Sequence, residues 1–140
     1  MEYKKVNENN YVIRIDKEEE IIEKLTDFCN KENIKSGYIT GLGAAKYVKI
    51  GLFDTQKKEY MSKEYEEPME ITSLVGNISS KDDNVYLHLH INLCNSTMNV
   101  IGGHLNECVV GATCELYVTS FNMRIDRTFN EEIGLNLYKF

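Results

Sequence analysis

The chain has little cysteine, little proline and no tryptophan: four cysteines and one proline stand among its 140 residues. Cys29, Cys94, Cys108 and Cys114 form no Cys-x-x-Cys pair and no spacing typical of a disulfide framework. We therefore expect reduced, mostly buried thiols in a cytoplasmic protein. Cys94 and Cys108 lie near the three histidines of the sequence, so both are also candidates for soft metal ligands.

Long apolar runs and an excess of basic residues are also absent. No stretch of about twenty apolar residues occurs, so we expect no membrane-spanning segment. Met1–Lys5 leads into polar residues, so no signal peptide is expected either. The 16 basic and 22 acidic residues give a net charge of −6, and the lysines and arginines are scattered. This balance disfavours a general attraction to nucleic acid or anionic lipid.

The size and apolar content of the chain are those of one globular domain. Hydrophobic residues make up an ordinary 42%, and this length is sufficient to bury a core without disulfides. No linker or repeat divides the sequence, so we expect a single domain over 1–140, with its core over about 10–140. The residue patterns predict an α+β fold in which one N-terminal helix packs on a mostly antiparallel β-sheet.

A single amphipathic helix is predicted directly after a first strand at Tyr11–Ile15. Asp16 has the character of an N-cap, and Glu19, three residues later, completes a capping-box pattern. The helix is expected to end near Asn33. Apolar residues on one stripe and charged residues on the rest indicate a surface helix packed on a sheet. The stripe consists of Ile21, Ile22, Leu25, Phe28 and Cys29.

The remainder of the chain predicts strands joined by short turns. Thr55–Lys58, Lys81–Asn84 and Asn95–Thr97 are rich in polar turn residues, and Pro68 interrupts the pattern. Gly41-Leu42-Gly43 lacks the third glycine and the following helix of a nucleotide-binding loop, so we interpret it as a bulge or a close backbone approach. The predicted strands are Ser36–Gly43, Tyr47–Asp54, Glu59–Glu67, Met69–Ser79, Val85–Leu93, Val100–Leu105, Thr113–Phe121 and Leu135–Phe140.

All three histidines fall within seventeen residues, at His88, His90 and His104. Because side chains alternate across a strand, His88 and His90 share one face of the predicted strand, and Leu89 lies on the other. A third imidazole from the next strand would complete a set of three nitrogens with an open position, as in ligand-accepting zinc sites. A pair of histidines on a polar strand face can also be solvated or hydrogen-bonded without metal, and the spacing leaves both interpretations open.

A hydrolytic or lyase reaction at such a metal would need a neighbouring group that transfers protons. Glu70 and Glu115 are the candidate catalytic carboxylates, because each lies in a mostly apolar strand context. A buried structural glutamate fits the same pattern. Tyr86 shares the face of His88 by parity and is available either for substrate binding or for packing.

Taken in order, these segments resemble the PPC domain (plants and prokaryotes conserved). The resemblance spans about residues 10–122 and rests on the strand–helix opening, two glycine-containing strands, the His-x-His pair and the Gly-Gly-His segment. The segments are Tyr11–Asn33, Ser36–Ala44, Met69–Asn77, His88–His90 and Gly102–Leu105, with Thr113–Glu115 in the closing strand.

The resemblance implies a compact α+β domain that assembles as a homotrimer. Prokaryotic members usually stand alone and often carry a DNA-binding label, whereas plant members add AT-hooks built on Arg-Gly-Arg-Pro, which this chain lacks. The plant-type Gly-Arg-Phe-Glu-Ile-Leu segment corresponds to Glu67–Thr72, where its arginine is missing. In prokaryotic members, the residues at the positions of His88, His90 and His104 resemble a set of three metal ligands. Acetolactate decarboxylase, which looks like a distant structural relative of these proteins, also uses a His-x-His pair and a later histidine for zinc.

Three functional hypotheses follow. The first is a homotrimer that binds a divalent metal, with zinc expected and nickel or copper as alternatives, together with a small-molecule ligand. In the enzymatic version of this hypothesis, the protein is a metal-dependent lyase or hydrolase that is related to acetolactate decarboxylase and acts on a small oxo-acid. The second is a DNA-binding or transcription-associated protein. The third is a structural oligomer whose histidines satisfy one another's hydrogen bonds without metal.

Overall fold

Alternation of apolar and polar residues extends through most of the chain, and it produces nine strands and a single helix. A computed structural model describes residues 1–140. Antiparallel pairing dominates, which confirms the predicted α+β class with a mostly antiparallel sheet. The chain contains no helix that is long and apolar enough to cross a membrane. In chain order the elements are β1 (Glu2–Lys5), β2 (Asn10–Asp16), α1 (Ile21–Lys31), β3 (Gly37–Asp54), β4 (Glu59–Tyr65), β5 (Met69–Lys81), β6 (Asn84–Cys94), β7 (Val100–Ser120), β8 (Asp126–Asn130) and β9 (Leu135–Lys139).

Four strands close into a ring: β3 pairs with β5, β5 with β6, β6 with β7, and β7 again with β3. Strands β1 and β2 extend the sheet beyond β7, and β4 folds back on β3 as a hairpin. Strands β8 and β9 form a C-terminal hairpin, which meets β5 through the parallel pair Ser80–Asp126. The two hairpins determine which residues surround the histidines.

Helix α1 begins later than the capping pattern predicts. Its N-cap is Glu20, whose carboxylate accepts a hydrogen bond from the Glu23 N–H (2.6 Å), so the prediction of Asp16 as the N-cap is wrong. The Glu19 carboxylate does reach back to the Asp16 N–H (2.9 Å), but this contact closes a turn in which Glu18 has a φ of 72°. Because a left-handed residue cannot continue a right-handed helix, the helical geometry starts only after this turn.

The helix ends at Lys31, close to the predicted position, and packs its apolar stripe on the sheet. Phe28 lies edge-on to the rings of Tyr3 and Tyr11, with centroid distances of 4.9 and 5.1 Å. Such edge-to-face contacts add to the burial of apolar surface. The fully buried residues of the stripe are Ile21, Leu25, Phe28 and Cys29, and Ile22 is half-buried.

Three of the four thiols lie in the core. Burial raises the pKa of the Cys29 and Cys114 thiols to about 12, and it also raises the pKa of the Cys108 thiol. These groups are therefore protonated at neutral pH, as inert structural cysteines are. Cys94 is half-exposed, and all four thiols are free.

Two pairs of predicted strands are single, bent strands in the structure. Register shifts between Gly41 and Gly43, and again at Ala45, bend β3 without ending it, as the bulge interpretation of this segment predicts. A Cβ atom on Gly43 would collide with the carbonyl oxygen of Thr113, so this glycine allows β3 and β7 to approach closely. The joined segments are 36–43 with 47–54 in β3, and 100–105 with 113–121 in β7.

Candidate metal centre

Strand β6 presents its histidines and its apolar residues on opposite faces. Leu89, Ile91 and Leu93 are 1%, 1% and 0% exposed and belong to the core. His88 is half-buried and His90 is exposed on the other face. The alternation of a strand thus places both imidazoles on one side, and their ring centroids are 5.2 Å apart.

The third imidazole comes from the neighbouring strand. His104 pairs directly with His90 across β6 and β7, and its ring centroid lies 5.2 Å from that of His88 and 5.5 Å from that of His90. A Cβ atom on Gly103 would stand 2.8 Å from the carbonyl oxygen of Gly51, so the glycine before His104 lets β7 lie close to β3. The structure therefore brings together all three histidines of the chain.

The positions of the ring nitrogens fit a divalent metal ion. The Nε2 atoms of His88 and His90 are 3.3 Å apart, and one ring nitrogen from each of the three histidines lies within 4.8 Å of the others. Tetrahedral zinc with bonds of about 2.1 Å requires nitrogens roughly 3.4 Å apart. No separation between these nitrogens would therefore have to shorten by more than about 1.4 Å to accept the ion. Three imidazoles would leave the fourth position open for a ligand.

Two of the imidazoles are held in the form that coordinates metal. Burial, together with the charges of His104, Arg127 and His90, lowers the pKa of His88 to about 4. Burial and His90 also lower the pKa of His104. At neutral pH both rings are uncharged, so each has a nitrogen lone pair free for coordination. The 3.3 Å contact of His88 with His90 also suits a hydrogen bond between the rings, which is the metal-free alternative.

The histidines line one wall of a cavity of about 550 Å³, a size that suits a small organic molecule. The β3–β4 hairpin supplies Tyr60, whose ring lies edge-on to His104 at 6.3 Å and whose hydroxyl donates to Asn106 Oδ1 (2.6 Å). The apolar part of the wall comes from the two hairpins together. It consists of Leu52, Phe53, Leu135 and Leu137.

Arg127, which no motif in the sequence indicates, lies in the same cavity. Its Nε donates to Ser79 Oγ (2.7 Å), its Nη1 to the carbonyl oxygen of Asn136 (2.8 Å) and its Nη2 to Asn77 Oδ1 (2.9 Å). These bonds come from two strands, β5 and β9, and hold the guanidinium in one orientation. The cavity is thus positively charged beside the histidines.

Two tyrosines pack against this guanidinium. The carbon at its centre lies 4.8 Å from the ring centroid of Tyr86 and 4.2 Å from that of Tyr138. Both are within the range of cation–π contacts. Tyr86, which parity places on the face of His88, therefore lines the cavity and supports Arg127.

The two candidate carboxylates lie elsewhere in the chain. Glu70 and Glu115 are exposed and line a separate, shallow groove, and neither lines the histidine cavity. Glu70 pairs with Cys94, which is four residues, or about 13 Å, along β6 from His90. Their apolar neighbours in the sequence point into the core, and the two carboxylates point to solvent. Within one chain the structure does not bring either carboxylate to the histidines.

The cysteines considered as soft ligands also lie away from the cluster. The Cys94 thiol contacts the carbonyl oxygen of Asn95 and the sulfur of Met98, and Cys108 is buried in the core. The residues that can hold a metal ion together are His88, His90 and His104 alone.

Comparison with known proteins gives one family and several similar structures. The family model of the Plants and Prokaryotes Conserved (PCC) domain, called PPC above, matches residues 3–122. A presumed DNA-binding protein from Bacteroides thetaiotaomicron is 40% identical, with 99% of this chain and 96% of that chain covered and a TM-score of 0.96. A metal-containing protein from Archaeoglobus fulgidus is 34% identical, with 98% and 100% covered and a TM-score of 0.88. No curated protein sequence matches the chain.

A more distant likeness extends to an α-acetolactate decarboxylase from Bacillus subtilis. The two chains are 14% identical over 87% of this chain and 57% of the other, with a TM-score of 0.57. At this identity the likeness shows a shared fold alone.

Proposed function

This chain belongs to the Plants and Prokaryotes Conserved (PCC) domain family, and on that premise we propose that it binds one divalent metal ion, zinc, through His88, His90 and His104. The observation that carries the proposal is the convergence of the three imidazoles, with ring nitrogens within 4.8 Å, at the wall of a cavity. The open coordination position then faces a space large enough for a small organic ligand.

Two further observations support the proposal. The relative from Archaeoglobus fulgidus, 34% identical over nearly the whole chain, is named as a metal-containing protein. The donor set is also suitable, because neutral imidazoles coordinate zinc, nickel and copper, and zinc accepts three of them with a fourth position open. Zinc in such a site supplies a Lewis acid that polarises an oxygen ligand.

Zinc is expected to stabilise the metal-free protein. A ligand that binds only the folded state adds about 2.7 kcal/mol to the free energy of unfolding at a free concentration of about 100 times its Kd. Protein purified without a histidine tag and stripped with chelator should therefore melt at a higher temperature after zinc is added. Calorimetric titration should give a stoichiometry of one ion per chain.

Magnesium serves as the control for this titration, because it prefers oxygen ligands and should leave the melting temperature unchanged. A tag-free protein that contains no metal as purified and takes up no zinc, nickel or copper would contradict the proposal. The three histidines would then satisfy one another by hydrogen bonds.

We also propose that the chain self-associates as a homotrimer. Apolar residues that usually lie in an interior are exposed in one row across the sheet: Val12 pairs with Tyr117, which neighbours Thr40 and then Val75. Val12, Tyr117 and Val75 are 39%, 64% and 46% exposed. An aligned apolar row on a sheet face suits a protein interface. The number of three copies is what membership of the family implies.

The row makes a direct prediction about assembly. Light scattering coupled to size-exclusion chromatography should give a mass of three chains for the wild type. Tyr117→Glu places a charge at the centre of the row and should dissociate the assembly, whereas Glu115→Gln, at an exposed position two residues away, should not. A monomeric wild type, or a trimer unaffected by Tyr117→Glu, would count against this interface.

DNA is a second candidate partner, and one observation favours it: the relative from Bacteroides thetaiotaomicron carries the name of a presumed DNA-binding protein. The charges of this chain disfavour DNA binding. The net charge is −6, and Arg14 and Arg124 are each paired with carboxylates, those of Glu2 and Asp16 for Arg14, and of Asp83 and Asp126 for Arg124.

Binding to DNA would have to weaken steeply as salt rises, because each phosphate contact releases counterions. We expect no mobility shift of an AT-rich duplex at micromolar protein, even in about 50 mM salt. A shift that disappears towards about 200 mM salt would instead establish DNA as a partner.

A further inference from the structure

Arg127 is the one arginine of the chain that has no carboxylate partner. The other two, Arg14 and Arg124, form ion pairs with aspartate and glutamate side chains at 2.6 to 3.2 Å. Arg127 donates only to neutral acceptors, a hydroxyl, an amide oxygen and a backbone carbonyl. Its positive charge is therefore not compensated within the chain, although the side chain is half-buried in the histidine cavity.

The guanidinium is held in place and still has donors to spare. Three of its five N–H groups are used in the bonds described above, so two remain. Packing against Tyr86 and Tyr138 limits its movement further. A fixed planar fork with free N–H groups is the arrangement that recognises a carboxylate.

The C-terminal hairpin that carries Arg127 lies outside the residues 3–122 matched by the family model. It also supplies Leu135 and Leu137 to the cavity, so it adds both a charge and an apolar wall to the space next to the histidines. The cavity therefore combines three features: metal-ligating imidazoles, an unpaired cation and apolar side chains.

This inference rests on the proposed metal site: we infer that Arg127 anchors the carboxylate of a small organic acid. The keto or hydroxyl oxygen of the same acid then reaches the open coordination position. The ligand class is a small oxo- or hydroxy-acid. The carboxylate compensates the charge of Arg127, the apolar residues from the two hairpins accept the carbon skeleton, and the volume of about 550 Å³ limits the ligand to a small molecule.

Cobalt-loaded protein provides the test, because the visible absorption of cobalt changes when an oxygen ligand enters its coordination shell. Pyruvate and its neutral methyl ester serve as probes that differ in the carboxylate charge. Wild-type protein should bind pyruvate at least about tenfold more tightly than methyl pyruvate. Arg127→Gln should weaken pyruvate binding by about 10- to 100-fold, the size of a lost charge-assisted hydrogen bond, and should leave methyl pyruvate unchanged.

Arg124→Gln is the matched control, since Arg124 lies three residues away and is paired with Asp83 and Asp126. It should bind pyruvate as the wild type does. Equal affinity of wild type and Arg127→Gln for pyruvate, with cobalt still bound one per chain, overturns the role of Arg127 and leaves the metal site intact. Equal affinity of the wild type for the two probes overturns it too, without any variant.

Two other outcomes separate the remaining possibilities. If Arg127→Gln weakens the binding of inorganic phosphate and leaves the binding of pyruvate unchanged, the assignment of a carboxylate ligand is wrong. If the wild type takes up no cobalt, the proposed metal site fails and this inference fails with it.

Discussion

His104→Ala is expected to reduce the metal content of the protein from one ion per chain to less than about a tenth of that. Losing even an outer hydrogen-bond partner of a metal-bound histidine weakens affinity about 10- to 100-fold, and losing a ligand should cost more. The two imidazoles left on β6 cannot enclose the ion, because His104 supplies the only donor from β7. Elemental analysis of tag-free protein, grown and purified in parallel with the wild type, measures this directly. His88→Ala should behave in the same way.

The control for this experiment is Asn92→Ala. Asn92 follows His90 on the same face of β6 and bonds to Ser73, but it contributes no ring nitrogen. This variant should keep its metal. Both histidine variants should retain the mass of the wild-type assembly, since neither changes a residue of the apolar row that we propose as the interface. The histidine that directly neighbours the row is His90, which pairs with Val75 and which neither variant changes. Dissociation of the assembly in His104→Ala, with no metal in the wild type, would instead make the histidines structural.

Phe28→Ala is expected to lower the free energy of unfolding by about 3–5 kcal/mol, the usual effect of removing a large aromatic side chain from a core. Phe28 is 1% exposed and contacts the rings of Tyr3 and Tyr11, so the variant loses apolar burial and two edge-to-face contacts. Urea denaturation of the metal-free protein measures the change without a contribution from bound zinc.

The exposed neighbour Asp27 on the same helix provides the comparison, because Asp27→Ala should change the free energy of unfolding by no more than about 0.5 kcal/mol. The helix packs on the buried side of the sheet, and the histidines lie on the other side, so Phe28→Ala should still bind one zinc ion per chain. A loss of less than about 1 kcal/mol would mean that the helix contributes little to the core.

The alternation on β6 could be predicted from the sequence, because a strand with a leucine or isoleucine at every second position has only one way to bury them. That pattern placed His88 and His90 together on the outer face. The arrival of His104 beside them depends on the pairing of β6 with β7. A short polar turn at Asn95–Thr97 makes that pairing predictable, since it forces the two strands into a hairpin.

Arg127 could not be predicted in the same way. Strand β8 reads Asp-Arg-Thr-Phe-Asn, with a single large apolar residue, Phe129, that is itself exposed. Its strand conformation comes from pairing with β9 and from one parallel contact with β5, which are tertiary interactions. The positions of Glu70 and Glu115 also depend on tertiary structure, because apolar neighbours in the sequence do not reveal whether a carboxylate faces the core or the solvent.

The proposed function depends on a metal ion bound by ring nitrogens of His88, His90 and His104. Anomalous scattering from a crystal of tag-free protein tests for that ion most directly. Diffraction data on either side of the zinc absorption edge should show one anomalous peak per chain, about 2.1 Å from a nitrogen of each imidazole. Crystals of protein supplied with zinc that show no peak between the three rings, and place His88 and His90 in hydrogen-bond contact instead, would contradict a metal site.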